Sequence, residues 1–232
     1  MLLREDGDAV VCIGQPTHAW LSGQLARAWA DPVEPWEEVC LAAEQHDAGM
    51  ADWDAAPELN PETGRPYSFM EMALSTHMRL WSWAPERVLS QSRYASLLVS
   101  MHGTALYESR NLERMSPEDA RSVRDYLDAQ RAYQDELIES LGADREEVRR
   151  NQRLIWIWDF LSLGLCLGWE GRSVEGVTLE RNTVEPWPFR EEQVTLRTEG
   201  RRLGKRFADE EEMRTALRRA PWQTLEFSLS AR

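Results

Sequence analysis

The chain has 232 residues, 42% apolar and 29% charged with eleven tryptophans, enough for one buried core and unlike the composition of a disordered segment. A formal net charge of −13, with no basic run to offset it, excludes nucleic acid as a bulk partner. Cys12, Cys40 and Cys166 lack CxxC spacing and read as buried free thiols rather than a disulfide framework.

The opening MLLREDGDAVV has no basic region followed by an apolar stretch, so no leader is expected, and Asp6-Gly7-Asp8 between two short apolar runs predicts a hairpin. From Pro16 to Trp29, the spacing of His18, Leu21, Leu25 and Trp29 predicts a helix with His18 on its apolar face. A second helix begins at Pro35, with Val39, Ala43 and His46 on one face and Gly49 near its end. A loop dense in proline and glycine follows, then an amphipathic stretch carrying Met70, Ala73, His77 and Leu80. Pro85 to Tyr107 is expected to be a fourth helix with His102 inward and Gly103 permitting close backbone approach.

Ser116-Pro117-Glu118-Asp119 marks the start of a polar helix that Gly142 ends, and Asp144 with Glu147 opens another. The latter runs into LIWIWDFLSLGLCLGW, apolar all round, with Asp159 as its one acid. At about 16 residues, Leu154 to Trp169 is shorter than the ~20 needed to span a bilayer, so a core helix and no membrane partner are expected, while the free thiols fit a reducing cytoplasm. Beyond Gly171, VEGVTLE, EQVTLRT and TLEFSLS alternate as strands, TEGRRLG reads as a turn, and ADEEEMRTALRRAP reads as a short helix.

The four histidines fall on or near the apolar faces of four different helices. A buried carboxylate and buried imidazoles need partners, and a shared cation would satisfy all of them. Imidazole and carboxylate donors suit one or two divalent ions of Fe, Mn, Zn, Co or Ni, with open positions for water or a small-molecule substrate.

In order, His18, the adjacent His46-Asp47 pair, His77, His102 and Asp159 resemble the HD-domain metalloprotein superfamily. The flanking PTHAWLSGQLARAW, QHDAGM, LLVSMHG and WDFLSLGLC are similar to an uncharacterised bacterial branch of it. The resemblance covers about residues 16–170. It implies a mainly α, HD-like helical bundle forming a single domain over 1–232. A small β-sheet is expected from the N-terminal strand and a C-terminal appendage at about 171–232. It further implies that His18, His46, Asp47 and Asp159 hold a first metal, and that Asp47 bridges to a second held by His77 and His102.

Family members with six such ligands include dinuclear phosphohydrolases acting on small phosphorylated compounds and di-iron oxygenases such as inositol oxygenase. A non-catalytic metal-binding regulatory module is the third option, and self-association into a homo-oligomer is left open. Where many members carry a lysine after the HD pair, Ala48, Gly49 and Met50 stand here. Arg79 and Arg93 are the candidate phosphate-binding cations in its place. Asp52, Trp53 and Asp54 follow the pair closely enough to line the mouth of the site, Asp47, Asp52 and Asp54 as catalytic candidates and Trp53 as a substrate contact.

Overall fold

A β-hairpin, β1 (Leu2–Asp6) and β2 (Ala9–Ile13), opens the computed structural model, which describes residues 1–204 and 206–231. All five β2 residues are buried because both faces are covered: Val11 and Ile13 enter the main core, Val10 and Cys12 a second one. That double cover explains a continuous apolar run where one-sided burial would give alternation.

Helix α1 (Gln15–Ala28) leads through a cis Glu34–Pro35 bond to α2 (Trp36–Gln45). The chain then makes a 3₁₀ turn (Ala48–Met50), a short α3 (Ala51–Ala55) and a two-residue ribbon, β3 (Leu59–Asn60) with β4 (Arg65–Pro66). Helices α4 (Leu74–Leu89) and α5 (Arg93–Glu108) follow. Pro85 lies inside α4 instead of opening the next helix; α5 is capped by Ser92, whose side chain accepts from the Ala95 N–H.

The long pair α6 (Pro117–Leu141) and α7 (Arg145–Leu167) have the caps expected of them. Ser116 accepts from the Asp119 N–H, Asp144 accepts from those of Glu146 and Glu147, and Gly142 closes α6.

The remaining elements are β5 (Arg172–Val174), β6 (Val177–Glu180), β7 (Thr183–Glu185), β8 (Gln193–Leu203), α8 (Glu210–Arg219) and β9 (Trp222–Ala231). With the hairpin, the five strands among them form one curled sheet of order β1-β2-β8-β9-β7-β6-β5, antiparallel except for β7 beside β9. This corrects the expectation of a mainly α bundle with a small sheet: seven strands join one mixed sheet, against which the helices pack. TEGRRLG is not a turn: its first six residues are the second half of β8, which ends at Leu203. Gly200 is there because β2 crosses so closely that a Cβ would stand 2.5 Å from Val11 Cγ1 and 3.1 Å from the Cys12 carbonyl oxygen.

Sheet and helices join through α1. Thr198 Oγ1 donates to the Thr17 carbonyl (3.0 Å), and the Gln24 amide pairs with the Arg197 backbone in both directions (2.8 and 3.1 Å). Trp187, Phe189, Trp29 and Trp158 stack edge-to-face in succession, with centroids 4.9, 5.4 and 5.8 Å apart, tying the segment before β8 to the residue preceding Asp159. Among the described residues no helix is long and apolar enough to cross a membrane.

Candidate metal centre

Four helices bring five side chains to one point. His18 comes from α1, His46 and Asp47 from the end of α2, His102 from α5 and Asp159 from α7. Each is nearly sealed from solvent, His46 at 0% exposure and Asp159, the most open, at 8%. Ligand atoms of His18, His46 and Asp47, and likewise of His46, His102 and Asp159, lie within 4.8 Å of one another, so these buried groups could hold a metal ion.

The hydrogen bonds behind the rings set their orientation. His46 Nδ1 donates to the Ala43 carbonyl at 2.8 Å, which turns Nε2 inward, where it carries a proton in the metal-free chain or offers a lone pair to a cation. There Nε2 lies 3.2 Å from Asp159 Oδ1 and 3.8 Å from Asp47 Oδ2, with no hydrogen-bond partner among the described residues.

Ser162 gives its proton to the Asp159 carbonyl (2.9 Å) and receives one from Ser22 (2.9 Å), so His18 Nδ1 is the donor in its 2.9 Å contact with Ser162 Oγ. His18 Nε2 then faces Asp47 Oδ2 at 2.7 Å, lone pair toward carboxylate, an arrangement that requires a proton or a cation at that position. His102 Nε2 stands 3.7 Å from Asp159 Oδ2, and its Nδ1 has no partner among the described residues.

The electrostatics mark the same point as one that takes up positive charge, a proton in the metal-free chain. Burial alone would lower the His46 pKa, but the Asp47 and Asp159 carboxylates raise it to about 9. Burial opposes charge on Asp159 as well, yet His46, His102 and His18 bring it down to about 2. Asp47 is lowered by His46 and His18 against its own burial. His102 moves the other way, to about 4, through burial and the neighbouring His46 charge.

The sixth expected ligand is not in this group. His77 on α4 accepts from Trp81 Nε1 at 3.1 Å and is hydrogen-bonded through Nδ1 to the Tyr107 hydroxyl. Trp81 packs against both His77 and His102, with centroids 6.1 and 5.6 Å away, so His77 lies a ring beyond the cluster. Burial and Arg110 lower its pKa to about 4. Gly103 serves this packing: a Cβ there would meet Trp81 Cε3 at 2.8 Å and the Tyr126 hydroxyl at 2.5 Å.

The residues expected at the mouth are dispersed. Asp52 is exposed and pairs with Arg87. Asp54 is held by the Met1 ammonium (2.6 Å) and the Gln15 N–H, and burial raises its pKa. Arg79 is exposed, and Arg93 lines a separate cleft beside Glu37 and Glu38. Trp53 is buried against a cavity of about 200 Å³ that also reaches Thr76, the residue before His77.

Ser22 and Ser162, which orient His18, were not identified from the sequence. The available signal was spacing: Ser22 lies one helical turn after His18, and Ser162 three residues after Asp159.

Residues 1–205 match the family described as "Protein of unknown function (DUF3891)", and the chain belongs to that family. No curated protein and no solved structure matches the chain.

Proposed function

We propose that this chain is a metal-dependent phosphohydrolase of the HD-domain type, acting on a small phosphorylated compound with one divalent ion held by His18, His46, Asp47 and Asp159 and flanked by His102. The observation that carries the reading is His46 Nε2, buried, without a hydrogen-bond partner among the described residues and directed at two carboxylates. Two carboxylates match the charge of a divalent ion, so the filled site could be neutral and remain buried. Oxygen and imidazole donors favour Mn, Fe, Zn, Co or Ni.

A divalent ion bound there would acidify a water ligand and withdraw charge from a phosphoryl oxygen. The chain's own contribution is orientation: Ala43 and Ser162 fix the two imidazoles with Nε2 inward. The position of His77 supports one ion rather than two, which also weakens the di-iron oxygenase reading. The burial of all five residues favours a second reading, a metal module that holds the helices together without turnover.

Elemental analysis of the purified, untagged protein, followed by phosphate release from p-nitrophenyl phosphate and a panel of sugar and nucleoside monophosphates, separates the two. The expected result is about one ion per chain and turnover that disappears with Asp159→Asn and with His46→Gln. A full metal complement without turnover on any substrate supports the second reading. Protein that takes up none of these metals refutes both.

A further inference from the structure

We infer that the cavity beside the smaller hydrophobic core, remote in function from the metal centre, is a binding site for a small organic anion with an apolar body. Its volume is about 410 Å³, within the range of small-molecule pockets. One wall comes from the start of α1 and from α3, the other from α8 and the neighbouring ends of β8 and β9. Much of the lining is apolar, including Pro16, Ala55, Leu217 and Trp222.

Three guanidinium groups, those of Arg201, Arg214 and Arg218, line this one cavity in a chain of net charge −13. They are not equivalent. Arg214 is paired with Glu210 at 2.8 Å and tied to the Pro57 carbonyl, and Arg218 is paired with Glu211 at 3.1 Å, so both belong to the wall.

Arg201 has no carboxylate partner among the described residues. It donates one N–H to the Leu217 carbonyl (3.1 Å), and its Cζ stands over the Trp222 ring, 4.2 Å from the centroid. That geometry holds the fork still while leaving other donors free for a carboxylate or phosphate. Trp222, 61% exposed, supplies an aromatic face beside it for the apolar body. Asp54, the acid in the lining, is already engaged by the Met1 ammonium and the Gln15 N–H and so does not compete for Arg201.

The test is calorimetric titration of the full chain with phenylphosphonate and phenylacetate, and with benzyl alcohol as the uncharged counterpart. At least one anion should bind at a single saturable site, and Arg201→Met should weaken it by about tenfold or more, the loss expected for a charged hydrogen bond. Ala55→Trp, which fills the cavity from an exposed position and leaves every arginine in place, should also abolish binding. Both variants should keep the wild-type metal content, which separates this site from the metal centre. Binding of the phosphonate alone identifies phosphate esters as the ligand class, and of phenylacetate alone carboxylates. The inference is overturned if neither anion saturates, if Arg201→Met binds as wild type does, or if benzyl alcohol binds as tightly as the anions.

Discussion

At the scale of the residue, two histidines with similarly lowered pKa values occupy different chemical positions. His77 has both ring nitrogens satisfied by Tyr107 and Trp81, whereas His102 Nδ1 has no partner among the described residues and sits beside the carboxylates. Replacing His77 by Phe should therefore leave metal content unchanged. Ser162→Ala, which frees the His18 ring, should lower metal affinity by about 10–100-fold. Competition titration against a chelator measures both, and metal loss in the His77 variant would restore it as a ligand.

The same residues set the pH dependence of the metal-free chain. His46, raised from 6.5 to about 9, contributes stability that is full below pH 6.5 and is lost as pH rises toward 9. His77 and His102, lowered to about 4, bind protons more readily unfolded than folded, so stability falls as pH drops from 6.5 toward 4. Thermal unfolding in the presence of chelator should thus show a maximum near pH 6.5, and a flat profile between pH 4 and 9 would contradict these assignments.

At the scale of the element, the sequence was readable wherever a local rule was sufficient. Caps at Ser116 and Asp144 and the stop at Gly142 each satisfy end groups of their own helix, so three or four residues of sequence contain the information. His18, His46, Asp47, His102 and Asp159 stood out because burying such groups is costly in any fold. His77 stood out equally, but the Tyr107 hydroxyl that satisfies it lies thirty residues away and no local pattern announces it.

Gly200 was misread for the same reason. TEGRRLG has the composition of a turn, while the requirement for glycine comes from β2, far away in the chain. Gly200→Ala should force β2 away from β8 and cost about 1–3 kcal/mol in urea denaturation, against about 1 kcal/mol for removing a helix cap with Asp144→Ala. Equal or smaller loss at Gly200 would mean that the strand pair relaxes freely.

At the scale of the whole molecule, the stretch beyond residue 171 is not an appendage. β8 stands between β2 and β9, and its Thr198 and Arg197 backbone hold the helix that carries His18. A chain ending at residue 171 loses the strand that pairs β2 and one cover of the main core. It should fail to give cooperative unfolding or soluble monomer, as measured by circular dichroism and size exclusion, whereas a true appendage would come away cleanly. Metal should raise the melting temperature of the intact chain, since an ion bound by the folded state alone shifts unfolding by mass action.

The register of β2 against β8, Val10 beside Leu203 and Cys12 beside Arg201, also bears on how the protein is made. The hairpin leaves the ribosome well before β8, and its apolar strand finds that neighbour only after nearly two hundred further residues have been translated. Until then its free edge and the face formed by Val10 and Cys12, covered by Leu203, Phe207, Met213 and Leu217, are open to other nascent chains, the situation in which chaperone holding matters most. The helices that carry the five metal-centre residues are all synthesised in that interval, so they can gather before the sheet beneath them closes.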